Sequence, residues 1–468
     1  MFIQNLLRAA LVAWPLSLAL AAAPLQAQAQ LSLQQAIELA RQQDPWLEGS
    51  RLRQQALAAS EIAAGTLPDP MVSLGAGNLP TDTFDFNQEA MTQFKVGVTQ
   101  TLPRGDSLAL SQQRFAVLGE QQGHLRRDRR EQLAVSVAGL WLDAWRADQS
   151  IRLIEADRAL FENLVEVTQN SYASAYGQTR QQDVIRAQLE LTRLDDRITG
   201  LRQQRDTALG QLAEWLGAGY AVSGALPALA PRDARVLASD GALDTDWLGQ
   251  VLSAHPAVTS LQQTIAASEL DVELARQKFK PQWGLNASYG YRDDAPNGME
   301  RPDFFSVGVS FDLPLFTGNR QDQELQSATA QAEASRTDRA LALRRLRAGF
   351  EAERARLREL KRRDALYSER LLGQMHEQAE AALSAYTSND GDFAEVVRAR
   401  IDELNARVEA LDIRAERQRS VARLNYFLAG LDAPAAAVGP DSGPGPDPDP
   451  DPDPGPGPDQ GNTQESAP

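Results

Sequence analysis

The side chains able to do chemistry are sparse in this 468-residue sequence, and they do not gather. Cysteine is absent, which removes disulfides, thiolate catalysis and Cys-ligated zinc together. His124, His255 and His376 stand far apart with no ligand spacing, and each reads as a surface histidine. No Gly-x-Ser-x-Gly elbow, phosphate-binding loop or metal-ligating histidine pair occurs. The expectation is therefore no enzyme, no cofactor and no metal site. Acid beside a turn is the pattern that does recur. Asp183 follows Gly177, and Asp390, Asp392 and Glu395 follow Tyr386, with Arg180, Arg186 and Arg398 close by. Carboxylates so placed can cap helices or pair on solvated surfaces.

The net charge of -16 without a basic stripe argues against nucleic acid as a partner. At the N-terminus, Arg8 precedes an apolar run from Ala9 to Ala23, and Ala27-Gln28-Ala29 forms a small-x-small cleavage pattern. This predicts a signal peptide over 1–29 and export of the mature chain. With no cysteine after the site, a lipoprotein acyl anchor is not expected. Residues 433–468 are mostly Pro, Gly and Asp, the composition of a disordered acidic tail. Between these ends no stretch approaches the ~18 apolar residues of a spanning helix, so entry into a membrane would require strands.

The chain says nearly the same thing twice. "VGVTQTLPRG" from Val96 echoes "VGVSFDLPLFTG" from Val307, and Asp44-Pro45 echoes His255-Pro256. "DVIRAQLEL" from Asp183 matches "EVVRARIDEL" from Glu395, and "LAEWLG" from Leu212 matches "LNYFLAG" from Leu424. The pairs keep one order and a separation of 211 or 212 residues, the signature of a duplication. Each repeat, 30–216 and 246–432, reads helix, strand, strand, long helix, return helix, with 217–245 as a linker. Strands are expected near 71–79, 94–102, 282–291 and 304–313, bounded by prolines that can neither continue a helix nor donate to a ladder. Ser32-Leu33-Gln34-Gln35 is a capping-box pattern for the first helix.

The strands alternate: Phe305, Val307, Val309, Phe311 and Leu313 point one way, Ser306, Gly308, Ser310 and Asp312 the other. Pattern alone suits a half-buried soluble sheet, whereas nine or ten residues with aromatics near the ends suits a tilted transmembrane strand. The helices tilt the balance. Arg104 to Tyr172 and Leu315 to Tyr386 contain no proline, and ~70 residues make a rod of roughly 100 Å. Leu133, Val137, Leu140, Ala144, Ala147, Ile151, Ile154, Arg158, Phe161 and Val165 step alternately by four and three, predicting left-handed coiled-coil packing. Four strands cannot close a barrel, and an open edge cannot sit in lipid. A membrane protein built this way must oligomerise, and three chains would supply twelve strands.

In these features the sequence resembles the TolC-type outer-membrane efflux channels over about residues 31–430. The likeness rests on the duplication, on the "LPRG" and "LPLFTG" strand exits, and on two turns where the rods reverse. The resemblance implies a mainly α fold with a small β part. It implies a homotrimer with an α-helical periplasmic tunnel joined to a twelve-stranded barrel in outer-membrane lipid. It also implies a periplasmic adaptor and an inner-membrane pump, of resistance-nodulation-division type, as partners. The family turn, Gly, five residues, Asp, Val, is met in full by Gly177 to Val184. The second copy, Tyr386 to Val396, departs: Asn389 stands for Gly, Glu395 for Asp, and Gly391 where some relatives carry a basic residue that locks the tip. By the same resemblance, Asp183, Asp390, Asp392 and Glu395 are gate candidates at the periplasmic tip, with Arg180, Arg186 and Arg398 as partners holding it shut.

The expected function is a passive exit duct. The phrases "LPDPMVSLGAGNLP" and "GDFAEVVRARIDEL" look closest to heavy-metal cation efflux members, and small toxic compounds such as drugs or dyes, or a secreted protein, are the other expected cargoes. The alternative is a secreted coiled-coil scaffold or adhesin with a small soluble β-domain.

Overall fold

The computed structural model describes residues 29–173, 180–222, 224–236, 244–388 and 390–432. The expected signal peptide (apart from Ala29), the acidic tail, and Gly177 and Asn389 of the turns lie outside the described residues.

The first repeat opens with α1 (Leu33–Gln43) and α2 (Pro45–Ala64). Ser32 Oγ accepts the Gln35 N–H at 3.3 Å, and Gln35 Oε1 accepts the Ser32 N–H at 3.0 Å, completing the capping box. The break between the helices falls at Asp44, whose carboxylate caps α2 at the Trp46 N–H while Pro45 takes the first helical position. Two strands follow, β2 (Met71–Gly77) and β3 (Gln93–Leu102), numbered after the short β1 (Ala29–Leu31). Helix α3 (Ser107–Ala173) is then unbroken for 67 residues, ~100 Å, and α4 (Gln181–Leu216) returns beside it.

The second repeat copies this order. Helices α5 (Thr245–Ser253) and α6 (Pro256–Gln277) lead into β5 (Trp283–Tyr291) and β6 (Phe304–Phe311). Its long rod differs from expectation. It divides into α7 (Gln321–Leu366) and α8 (Leu372–Thr387) at a π-helical turn, Tyr367–Leu371, where the Leu372 N–H reaches back to the Tyr367 carbonyl. The Ser368 hydroxyl donates to the Asp364 carbonyl at 2.7 Å just before the widening. Such insertions interrupt the i to i−4 ladder without ending the helix. Helix α9 (Phe393–Phe427) returns.

The heptad stripe of α3 is buried as its period requires. Leu133, Val137, Ala144, Ala147, Ile151, Ile154 and Phe161 are all core residues, while Arg158 turns outward to Glu162 and Asp195. Toward the turns, α3 and α4 pack with α9 around Ile154, Phe161, Ile198, Val396 and Leu404. Midway along, Trp141, Trp145 and Leu212 form a second cluster with Leu33 of α1. There β1 pairs in parallel with β4 (Tyr220–Val222), a two-stranded element too short for sequence periodicity to show. The linker that follows is stitched to α9: Leu229 and Arg232 donate backbone N–H groups to Gln418 and Asn425.

His255 corrects the sequence reading. It is fully buried, not superficial. It occupies the cap position of α6 that Asp44 holds in the first repeat, with Nδ1 accepting the Ala257 N–H at 3.2 Å and Nε2 donating to the Tyr426 carbonyl at 3.0 Å. Burial lowers its pKa to about 4, so near neutral pH the ring is the uncharged tautomer those bonds need. His124 is half-buried, bonded to Thr259 of α6.

Candidate functional site

Two regions carry the features a duct would use: the sheet at one end of the rods and the turns at the other. The sheet has the order β2-β3-β5-β6, antiparallel throughout, so the hairpins of the two repeats join through β3 and β5. Register stacks apolar on apolar. Val98 lies between Val72 and Ala287, Val96 between Leu74 and Tyr289, and Leu285 faces Val309. The opposite face is mostly small and polar: Ser73, Gly97, Ser288 and Ser306 share one row and Thr99, Asn286 and Gly308 the next, with Met71 and Phe304 on the same face at the two edge strands. Glycine here makes room. A Cβ on Gly97 would stand 2.7 Å from Ser73 Oγ, and one on Gly308 would stand 2.5 Å from Asn286 Oδ1.

Among the described residues nothing covers the apolar face. Leu74, Phe305 and Val307 are each about 70% exposed, and β2 and β6 present unpaired edges. A water-soluble sheet would bury that face, and isolated long apolar edges promote uncontrolled pairing. Aromatic side chains sit near both ends of the band, Trp283 against Phe311 at one and Phe86 against Tyr291 at the other. No helix among the described residues is long and apolar enough to cross a membrane.

At the far end, the acids singled out in the sequence divide by role. Asp183 is buried, and its carboxylate accepts the Arg180 N–H at 3.0 Å in the first turn of α4. Asp392 caps α9 by accepting the Ala394 N–H at 3.1 Å. Asp390 and Glu395 are exposed, as are Arg180, Arg186 and Arg398. Among the described residues none of these three arginines forms an ion pair with any of the four acids. A ring of copies, the arrangement a gate needs, is not present in one chain. The Asp390 N–H bonds the Ala385 carbonyl at 2.9 Å, and the Tyr386 and Phe393 rings meet edge to face at 5.7 Å, closing the turn on itself. Gly391 is pressed against the end of α8: a Cβ there would come 2.8 Å from the Tyr386 nitrogen and 2.9 Å from the Ala385 carbonyl carbon. Both contacts are backbone, so the basic residue of some relatives does not fit this turn.

Sequence reasoning missed the densest feature near the turns. Glu403, 3% exposed, sits on the inner face of α9 and receives three partners. His376 Nδ1 lies 2.8 Å from it, Arg400 Nη1 bonds it at 2.9 Å, and Arg407 joins from the next turn. Arg400 also holds Glu380 of α8, and Arg407 reaches Asp157 of α3 at 3.4 Å. Three helices thus meet through ions. Burial alone would raise the Glu403 carboxyl, but the His376 hydrogen bond and the Arg400 and Arg407 charges outweigh it and hold its pKa below the usual glutamate value. The signal was available: Arg400, Glu403 and Arg407 continue the spacing of Phe393 and Val396, placing charges where the stripe calls for apolar residues. In α4 the place of Glu403 is taken by Leu191, which packs on the apolar core.

Comparison with known proteins decides what this geometry belongs to. Residues 247–430 match the sequence profile of the outer membrane efflux protein family. The chain is 26% identical over 392 residues to protein CyaE of Bordetella pertussis, covering 81% of this chain and 79% of that one. The second half of the chain is thus similar to the outer membrane efflux proteins. A second relative, the alkaline protease secretion protein AprF of Pseudomonas aeruginosa, is 26% identical over 255 residues, 54% of this chain and about half (48%) of AprF. Among solved structures, the CmeC outer membrane channel of Campylobacter jejuni superposes with a TM-score of 0.71 at 12% identity, over 85% of each chain. The fold is that of the solved outer-membrane channels, mainly α with a small sheet, and the sheet of a single chain remains open at both edges.

Proposed function

We propose that this protein is the outer-membrane exit duct of a tripartite efflux system, acting as a homotrimer. The observation that carries the reading is the four-stranded sheet, apolar and uncovered on one face, small and polar on the other, with both edges unpaired. Three such sheets joined edge to edge make twelve strands, bury every edge and place the apolar face toward lipid. The polar faces then line a water-filled passage, and the rods extend it across the periplasm as a helical tunnel. The duct is passive. Work is supplied by an inner-membrane pump of resistance-nodulation-division type, coupled through a periplasmic adaptor that docks on the grooves between rods. Heavy-metal cations or small toxic compounds are the cargo, and the pump selects among them. A secreted scaffold, the alternative, offers no use for duplicated strand pairs with an exposed apolar face.

The turns form the periplasmic entrance. Asp390 and Asp392 stand in three-fold rings there, narrowing and charging the opening. Replacing both with alanine should raise the conductance of the reconstituted channel in planar bilayers and weaken block by multivalent cations added on the helical side. Conductance and block equal to those of the unaltered protein would remove the gate from these residues. Failure of the protein to form steps of conductance at all would reject the duct.

A further inference from the structure

The four strands contain a single charged residue, Lys95. It lies on the small polar face, two positions from Gly97, and its register neighbours on both sides are glycines, Gly75 on β2 and Gly290 on β5. A side chain at Gly75 would meet open space, so nothing crowds the ammonium from that flank. Lys95 is exposed, and its side chain makes no ion pair or hydrogen bond among the described residues. It sits three residues into β3, close to the end of the sheet that carries the loops 78–92 and 292–303. Those loops hold Asp82, Asp85, Glu89, Asp293, Asp294, Glu300 and Asp303 against only Arg292 and Arg301. Both arginines are engaged with carbonyls: Arg292 with Ala90 and Pro302, Arg301 with Asn87 and Glu89.

We propose that Lys95 is the charge-selecting residue of the outer mouth. The inference rests on the trimeric duct reading above, and it narrows the cargo. In a three-chain barrel the polar face lines the passage, and one lysine per chain becomes a three-fold cationic ring in an otherwise uncharged wall. Rings of one sign bias permeation toward the opposite sign. The field along the exit path therefore changes sign between the acidic loops and the barrel. A free multivalent cation leaving the duct meets a repulsive step at the ring, whereas anionic and neutral solutes, or a metal carried as an anionic complex, do not. Lysine suits this position because its flexible stem places a compact charge in the passage without any demand for a fixed partner.

The test is block of the reconstituted channel by inositol hexakisphosphate added on the side opposite to protein addition, which is the sheet end because the helical body does not cross the bilayer. The unaltered channel should be blocked, Lys95→Arg should be blocked equally, and Lys95→Gln should bind the anion about tenfold more weakly. Lys95→Glu should lose the block and gain block by spermine from the same side. Block that is absent from the unaltered channel, or unchanged in Lys95→Gln, overturns the ring while leaving the duct reading intact. A preparation that shows no conductance steps overturns both.

Discussion

Val98→Arg should all but remove the protein from the outer membrane. Val98 occupies the middle of the apolar band, opposite Val72 on one side and Ala287 on the other. A cation at mid-depth on the lipid face of a barrel strand costs about 2–4 kcal/mol. In the proposed trimer three copies carry the substitution at once, so the penalty per trimer is roughly 6–12 kcal/mol, comparable to the whole stability of an ordinary domain. The control lies one row away on the other face. Ser288, opposite Gly97, belongs to the polar wall, and Ser288→Arg should leave the amount in the outer membrane nearly unchanged. Quantitative blotting of carbonate-washed outer membranes separates the two variants. Equal loss in both would mean that the faces are not distinguished by lipid and water.

Glu403→Ala should give the second-largest effect, confined to the turn end of the rods. Removing the carboxylate leaves Arg400, which is 8% exposed, to rely on Glu380 alone. Arg407 keeps Asp157, and His376 loses its carboxylate partner. Breaking one side of a buried ionic cluster costs about 3–5 kcal/mol, because the remaining charges stay desolvated. Hydrogen exchange along α8 and the first half of α9 should accelerate by at least two orders of magnitude, with the sheet and α3 little changed. The pair Glu403→Leu with Arg400→Gln installs the residues that α4 carries at the matching positions, Leu191 and Gln188. It should recover most of the protection, since an apolar layer can replace an ionic one at little cost. The same cluster makes acid the destabilising direction. A carboxyl with a lowered folded pKa contributes fully above the ordinary glutamate range and loses its contribution as the pH falls through the folded value. Protection of α8 and α9 should accordingly fall with acid in the unaltered protein. In the double variant it should fall less, since the carboxyl whose pKa is held down is gone.

What could be read from the sequence was what is local and periodic. Asp44-Pro45 and Ser32-Gln35 named their caps because capping uses neighbours a few residues away. The α3 stripe and the alternation of β6 named their faces for the same reason. Long-range partnership was not written in any window. That β3 joins β5 depends on how the two repeats fold against each other, and the duplication is equally compatible with other joins. His255 looked polar and therefore superficial, although the duplication had already aligned it with Asp44, a cap. Arg400 and Glu403 stand on the apolar stripe of α9, which marks them for burial, but their partners on α8 and α3 are not written in that spacing. Gly391 was noted as a departure from a family pattern, and the backbone of α8 supplies its reason. The π-helical turn at Tyr367 has no signature in hydrophobic spacing, because one extra residue leaves the neighbouring turns in helical period.

The central claim is that β2 of one copy pairs with β6 of the next until three copies close a ring. The natural absence of cysteine makes this directly measurable. Within one chain β2 and β6 are separated by β3 and β5, about 14 Å at ordinary strand spacing, too far for a disulfide. Leu74→Cys should therefore be combined in turn with Phe305→Cys, Val307→Cys and Val309→Cys, and each pair oxidised in intact outer membranes. At the matching register the account predicts a covalent ladder of one, two and three chains, ending at three. A ladder that stops at two or runs beyond three, or a mature chain that stays monomeric and dissolved without detergent, would contradict it.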